Sequence, residues 1–132
     1  MPTLNIIKNK MTKKILLVED DKFLRELLSK RLRMEFYSVL EANESSEAFN
    51  HLNEHGIDLI LLDLHLPGIP GLEILKEIKF KKEIKNIPVI VFSNLMEEKE
   101  MNEAKKLGVS DYIIKANFSL DELVEKINKI LK

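Results

Sequence analysis

Three short apolar runs in this chain each end on a charge, and that repetition restricts the fold more than any other feature. Ile15-Leu-Leu-Val18 runs into Glu19-Asp20, Leu59-Ile-Leu-Leu62 into Asp63, and Tyr112-Ile-Ile114 into Lys115. Runs that are apolar at every position read as strands covered on both faces, as in a parallel sheet sandwiched between helices. Charges that close such strands converge on the carboxyl edge of the sheet, where open α/β sheets bind ligands. Three carboxylates facing one ammonium there are costly unless a cation or an anionic substrate completes the group.

The segments between these runs carry helical periodicity. From Phe23, apolar residues recur at Leu24, Leu27, Leu28 and Leu32, one face of a helix. Tyr37–Ala42 reads as a weaker, more exposed edge strand. Ser45 or Ser46 can cap a short helix through Glu54 that Gly56 ends. Asp58–Asp63 is the strongest strand, and the turn Leu66-Pro-Gly-Ile-Pro-Gly71 leads to a helix carrying Leu72, Leu75 and Ile78. The lysine-rich Lys79–Lys85 then complements the negative end of that helix. Pro88–Ser93 is the fourth strand, Glu97–Leu107 a helix closed by Gly108, and Asp111–Lys115 the fifth strand. Ser119-Leu-Asp-Glu122 is a capping box opening the last helix, whose inward stripe is Leu120, Leu123, Val124, Ile127 and Leu131. Five strands alternating with five helices predict a doubly wound (βα)5, flavodoxin-like three-layer fold with parallel strand order 2-1-3-4-5. Its switch point falls between the first and third strands, which carry Glu19-Asp20 and Asp63.

A chain of 132 residues suits one domain. A formal net charge of −1 argues against a nucleic-acid binder. The chain has no cysteine, and no apolar run of membrane-spanning length. Residues 1–12 lack the apolar core of a signal peptide, so the cytoplasm is the default compartment. That segment is read as a flexible extension before a domain over residues 13–132, with an extra edge strand or docking arm as the alternative.

Four segments, taken in order, resemble the receiver domain of two-component response regulators. They are Ile15-Leu-Leu-Val-Glu-Asp-Asp21, Asp58-Leu-Ile-Leu-Leu-Asp-Leu-His-Leu-Pro-Gly68 with Gly71, Pro88-Val-Ile-Val-Phe-Ser-Asn94, and Gly108-Val-Ser-Asp-Tyr-Ile-Ile-Lys115. The resemblance implies that Asp63 accepts a phosphoryl group from a phosphohistidine on a histidine kinase or histidine phosphotransfer protein, becoming a 4-aspartylphosphate. It implies Mg²⁺, or Mn²⁺ in its place, ligated by Asp20 and Asp63 directly, by Glu19 through water and by the backbone carbonyl of His65. Ser93 and Lys115 would contact the phosphoryl oxygens, and Ser93 and Tyr112 would form the switch. The chemistry agrees. A carboxylate is repelled by an anionic phosphoryl group, Mg²⁺ removes that repulsion, and Lys115 and Ser93 supply donors.

Each residue also has a plainer reading. Glu19 and Asp20 could favour the positive end of the first helix, as Asp21 does. Asp63 could form a turn before Pro67, Ser93 could be an ordinary strand-end hydroxyl, Lys115 a surface lysine, and Tyr112 normal edge-strand packing. His51, His55 and His65 share no metal-ligand spacing and read as surface residues. The chain also departs from the family. Ala116 follows Lys115 where proline, often cis, is usual, so the loop must carry strain or rearrange and the place of Lys115 is in doubt. Leu66 and Pro70 are unusual but harmless, and Leu95 could shield the phosphoryl group from water.

The expectation is a stand-alone receiver, not a turnover enzyme. It would signal to a downstream protein or form a homodimer through the fourth helix, fifth strand and fifth helix, without direct nucleic-acid or membrane contact. Two rivals stand beside it. A degenerate receiver would signal without phosphorylation. An aspartyl-phosphate phosphatase would need a second aspartate where His65 stands.

Overall fold

The computed structural model describes residues 12–54, 56–94 and 98–132. Expectations that fall on residues 1–11, His55, Leu95 and Glu97 lie outside the described residues. Five strands, β1 (Lys14–Val18), β2 (Ser38–Ala42), β3 (Leu59–Leu62), β4 (Val89–Ser93) and β5 (Asp111–Ile114), form one sheet in the order β2-β1-β3-β4-β5. Every pairing is parallel. Between and after them run α1 (Lys22–Met34), α2 (Ser45–Glu54), α3 (Gly71–Phe80), α4 (Glu98–Lys106) and α5 (Leu120–Leu131). This is the doubly wound order expected, with β2 and β5 at the edges.

The period-2 geometry of strands divides the apolar runs between two cores. Leu16, Val18, Ile60 and Leu62 face one way and pack with Ala48, Leu52, Ile74, Leu75, Ile78 and Ala104 of α2, α3 and α4. Ile15, Leu17, Leu59 and Leu61 face the other way, onto Leu28, Leu32, Leu123 and Ile127 of α1 and α5. Both faces of β1 and β3 are therefore dry, which is why their sequences do not alternate. Burying each such side chain stabilises the fold by roughly 1.5–3 kcal/mol.

Element ends differ from the sequence reading for identifiable reasons. The aspartate before β3 leaves the ladder, and Asp58 Oδ2 accepts from the Lys14 amide at 2.8 Å, closing the amino edge of the sheet. Lys115 leaves β5 to open a 3-10 turn, Lys115–Asn117. Ser45 and Ser46 lie within α2 and do not cap it. Instead, Glu47 Oε1 accepts from the Asn43 amide at 2.8 Å and Glu44 Oε1 accepts from Ser46 Oγ at 2.7 Å. The expected caps of α1 and α5 are present, since Asp21 Oδ1 accepts from the Leu24 amide at 2.9 Å and Ser119 Oγ from the Glu122 amide at 3.1 Å. Gly108, at φ +85°, turns the chain out of α4.

Gly71 sets the path between β3 and α3. A Cβ there would sit 2.1 Å from Leu64 Cα, and the Gly71 amide donates to the Leu64 carbonyl at 2.9 Å. Only a residue without a side chain permits that approach, and it holds the turn carrying His65 against the sheet.

Candidate functional site

The carboxyl ends of β1, β3, β4 and β5 deliver Glu19-Asp20, Asp63, Ser93 and Lys115 to one place. Glu19 and Ser93 are 0% exposed and Asp63 is 2% exposed, whereas Asp20 faces solvent. Asp63 is fully engaged. Its Oδ1 accepts from the His65 amide at 2.8 Å and from Ser93 Oγ at 3.2 Å, and its Oδ2 from Lys115 Nζ at 2.9 Å. Lys115 Nζ also lies 2.5 Å from Glu19 Oε1. Four residues that the sequence placed at separate strand ends therefore form one cluster.

The expected difficulty with Ala116 does not arise. Among the described residues no peptide bond is cis, and the turn from Lys115 to Asn117 still brings the ammonium to both carboxylates. An aromatic support sits beneath it. Phe92 meets Phe118 edge-on, with centroids 4.8 Å apart and planes at 84°, and Lys115 Nζ lies 5.5 Å from the Phe92 ring centroid.

Burial pushes the Glu19 carboxyl up to about 7, although the Lys115 ammonium and the Asp21 amide pull against it. For Lys115, burial works to lower the ammonium, but the Glu19 and Asp63 carboxylates outweigh it and the net shift is upward. The lysine is a fixed cation, while Glu19 can take up a proton near neutrality.

Glu19, Asp20 and Asp63 each offer an oxygen, and these three atoms lie within 4.8 Å of one another. All are hard oxygen donors, the set that Mg²⁺ prefers. Glu19 Oε1 is buried and has no hydrogen bond of good geometry, despite the nearby ammonium. Three carboxylates converge within reach of one ion, and the residues fit a divalent ion.

Two features were missed in the sequence. The Arg25 guanidinium donates to the carbonyls of Glu19, at 2.9 Å, and Asp20, at 3.3 Å, and pairs with Glu41 at 3.3 Å, which fixes the backbone of the acidic pair. An arginine one turn into a helix gives no sequence signal of that contact. His65 is on the surface as expected, but its Nδ1 lies 2.6 Å from Ser93 Oγ, and its Nε2 lies 3.6 Å from Glu100 Oε1 on α4. Tyr112 pairs with Val91 in the ladder, is half-buried on the α4 side of the sheet, and has Lys105 Nζ 5.4 Å from its ring centroid.

The family model for the response regulator receiver domain matches residues 15–128, and the chain belongs to that family. It is 36% identical over 122 residues to the phosphate regulon transcriptional regulatory protein PhoB of Escherichia coli, an alignment covering 92% of this chain and 53% of that protein. The chain therefore spans about half the length of those regulators. It is 32% identical over 120 residues to the chemotaxis protein CheY-3 of Vibrio cholerae, covering 90% of this chain and 92% of the relative. Among solved structures, the HemR receiver domain of Leptospira biflexa superposes with a TM-score of 0.84 at 32% identity, covering 92% of this chain and 95% of that one. A CheY-like receiver domain protein of Methanospirillum hungatei superposes with a TM-score of 0.85 at 26% identity, covering 91% and 94%. The molecule is a phosphoryl-accepting receiver of two-component signalling, and receivers are regulatory phosphoryl acceptors. No helix among the described residues is long and apolar enough to cross a membrane.

Proposed function

We propose that Asp63 is the phosphoacceptor and that the surrounding residues make its carboxylate competent at a partner's phosphohistidine. In the transfer, the P–N bond of the phosphohistidine breaks as a P–O bond to an Asp63 carboxylate oxygen forms. The partner's imidazole leaves with the electron pair and takes up a proton. Lys115, already 2.9 Å from Asp63 Oδ2, is a compact charge that can follow the arriving phosphoryl oxygens. The Ser93 hydroxyl supplies a second donor. Arg25 and the Asp21 cap keep Glu19 and Asp20 in place, so little reorganisation is needed when substrate arrives. Glu19, Asp20, Asp63 and the His65 carbonyl would hold Mg²⁺, or Mn²⁺ in its place, which neutralises the charge between nucleophile and phosphoryl group.

The observation that carries this reading is the meeting of a nearly buried aspartate with an ammonium, a hydroxyl and two further acids at the switch point of a receiver fold. The domain proper is residues 13–132. Its donor is a histidine kinase or a histidine phosphotransfer protein in the cytoplasm. Output runs through a downstream protein, or a second copy, on the face of α4, β5 and α5, with Ser93 and Tyr112 as the switch. Neither nucleic acid nor membrane is a direct partner. Self-dephosphorylation is slow, so the protein does not act as a turnover enzyme. The degenerate-receiver reading rested on Ala116, and a trans peptide that still presents Lys115 removes that support.

Incubation with Mg²⁺ and a small phosphodonor, followed by intact mass, should show the gain of one phosphoryl group, and Asp63→Asn should abolish it. An unchanged mass for the wild-type chain, or a gain that survives Asp63→Asn, overturns the assignment. A Mg²⁺ titration without saturation would favour the degenerate reading.

A further inference from the structure

The helix α4 is weakly held. Its sequence, Glu-Lys-Glu-Met-Asn-Glu-Ala-Lys-Lys, buries only Ala104 outright, with Met101 half-buried against the same core. Two polar contacts reach it from the sheet edge. Lys105 stands over Tyr112 at 5.4 Å, and Glu100 Oε1 lies 3.6 Å from His65 Nε2. An element with so little buried apolar surface opens at low free energy, so a single tether weighs heavily in its stability.

The His65 tether leads directly to the phosphoacceptor. Ser93 Oγ lies 2.6 Å from His65 Nδ1 and 3.2 Å from Asp63 Oδ1. A hydroxyl has one proton to donate. Nε2 lies 3.6 Å from a carboxylate that can only accept, beyond hydrogen-bond length, so Glu100 acts only as an electrostatic bias toward the imidazole tautomer with its proton on Nε2. Nδ1 is then an acceptor that competes with Asp63 Oδ1 for the single Ser93 proton, at 2.6 Å against 3.2 Å. A phosphoryl group on Asp63 would present oxygens to that same hydroxyl, and charge-assisted acceptors are the stronger.

We propose that His65 couples the Ser93 hydroxyl to α4. The imidazole bridges Ser93 and Glu100 in the resting protein, and withdrawal of the hydroxyl proton releases the helix. This rests on the assignment of Asp63 as phosphoacceptor only for its trigger, because the bridge itself is present without a phosphoryl group. His65 is thus a positioning residue for the output surface. The coupling is separate from any movement of Tyr112, which the bridge does not touch.

The test is amide hydrogen exchange of the full chain, followed in a peptide covering α4 with a β3 peptide as control. The His65–Glu100 contact, at 3.6 Å, is a polar contact longer than a hydrogen bond, and loss of up to about 1 kcal/mol corresponds to at most roughly five-fold faster exchange. His65→Ala, Ser93→Ala and Glu100→Gln should each speed α4 exchange by up to that factor and leave β3 unchanged. The His65→Ala/Ser93→Ala pair should be no faster than either single variant, since both remove the same bridge. Phosphorylated wild type should match unphosphorylated His65→Ala in α4. Unaltered α4 exchange in the three single variants, or additive effects in the pair, overturns the coupling. So does a phosphorylated wild type, verified by mass, whose α4 exchanges as slowly as before. The variant arms need no phosphorylation, so a missing mass gain would count against the acceptor assignment and leave the coupling to be judged on those arms.

Discussion

Replacing Lys115 by methionine keeps the apolar stem and removes the charge that the buried acids share. At 2.9 Å the gross attraction between Lys115 and Asp63 is about 6 kcal/mol for an effective dielectric near 20. That overstates the loss, because the variant also regains the cost of desolvating the lysine. Breaking a buried pair by removing one partner typically costs about 3–5 kcal/mol. Here Lys115 retains 15% side-chain exposure and Glu19 can neutralise itself, so the expected loss is smaller and depends on pH.

The size of that dependence follows from Glu19. Its folded pKa, about 7, lies above the ordinary 4.5, so the native state binds the proton more tightly than the unfolded chain. Its contribution is therefore fully present below 4.5 and is lost as pH rises towards 7, a decline of about 3 kcal/mol that then levels off. Without Lys115 the carboxyl moves higher still, and the decline continues past 7. At pH 5 the wild type and the variant both carry a protonated Glu19, so the methionine costs about 1–2 kcal/mol, mostly through Asp63. At pH 8 the prolonged decline adds about 1 kcal/mol, for a total of roughly 2–3 kcal/mol. For a domain of this size that is about a 5 °C fall in Tm at pH 5 and about 10 °C at pH 8. Urea and thermal unfolding of both proteins at the two pH values would measure it. A destabilisation of equal size at pH 5 and pH 8, or none at either, would refute the shared-charge argument.

Other expectations follow from the same geometry. Asp20→Asn should leave Tm almost unchanged, since the side chain is exposed, yet weaken Mg²⁺ binding by more than about tenfold in a titration, the loss known for groups one layer further from a metal. Because the metal must displace the Glu19 proton, Mg²⁺ affinity should rise as pH is raised towards about 7 and flatten above it. A calorimetric titration giving the same affinity at pH 6 and pH 8 would contradict this. Gly71→Ala forces a Cβ to within 2.1 Å of Leu64 Cα, so the start of α3 must shift. It should lower stability by about 1–3 kcal/mol in urea unfolding and slow phosphorylation by displacing the His65 turn. Ser119→Ala should cost about 1 kcal/mol through loss of the α5 cap, with no effect on the phosphorylation rate.

What was legible in the sequence, and what was not, divides along physical lines. The sheet order and the convergence of Glu19, Asp20, Asp63 and Lys115 follow from period and topology, because a parallel strand buried on both faces has nowhere to place a charge except at its end, whereas Ser93, an uncharged strand-end hydroxyl, stood out only through the family resemblance. Those signals are local and repeat from strand to strand. The caps at Asp21 and Ser119 were legible for the same reason, since each closes a turn within three residues. The doubt over Ala116 came from treating one proline as the only means of delivering the lysine. In the fold the delivery is shared by the Lys115–Asn117 turn and the edge-on pair Phe92 and Phe118, which come from different elements.

Arg25 and His65 were invisible because their partners are non-local and their side chains long. A guanidinium six residues from Glu19 reaches its carbonyl only once α1 has docked on β1. His65 meets Ser93 and Glu100 only when β3, β4 and α4 are assembled, 28 residues separating the histidine from the serine. These two residues also act differently on the site. Arg25 fixes the acidic backbone, so it should not move when charge at Asp63 changes. His65 shares a single proton donor with Asp63, and any new acceptor on that carboxylate must compete with it. The strand ends thus define what chemistry the cleft can perform, while a contact that no spacing rule reveals determines where the result is felt.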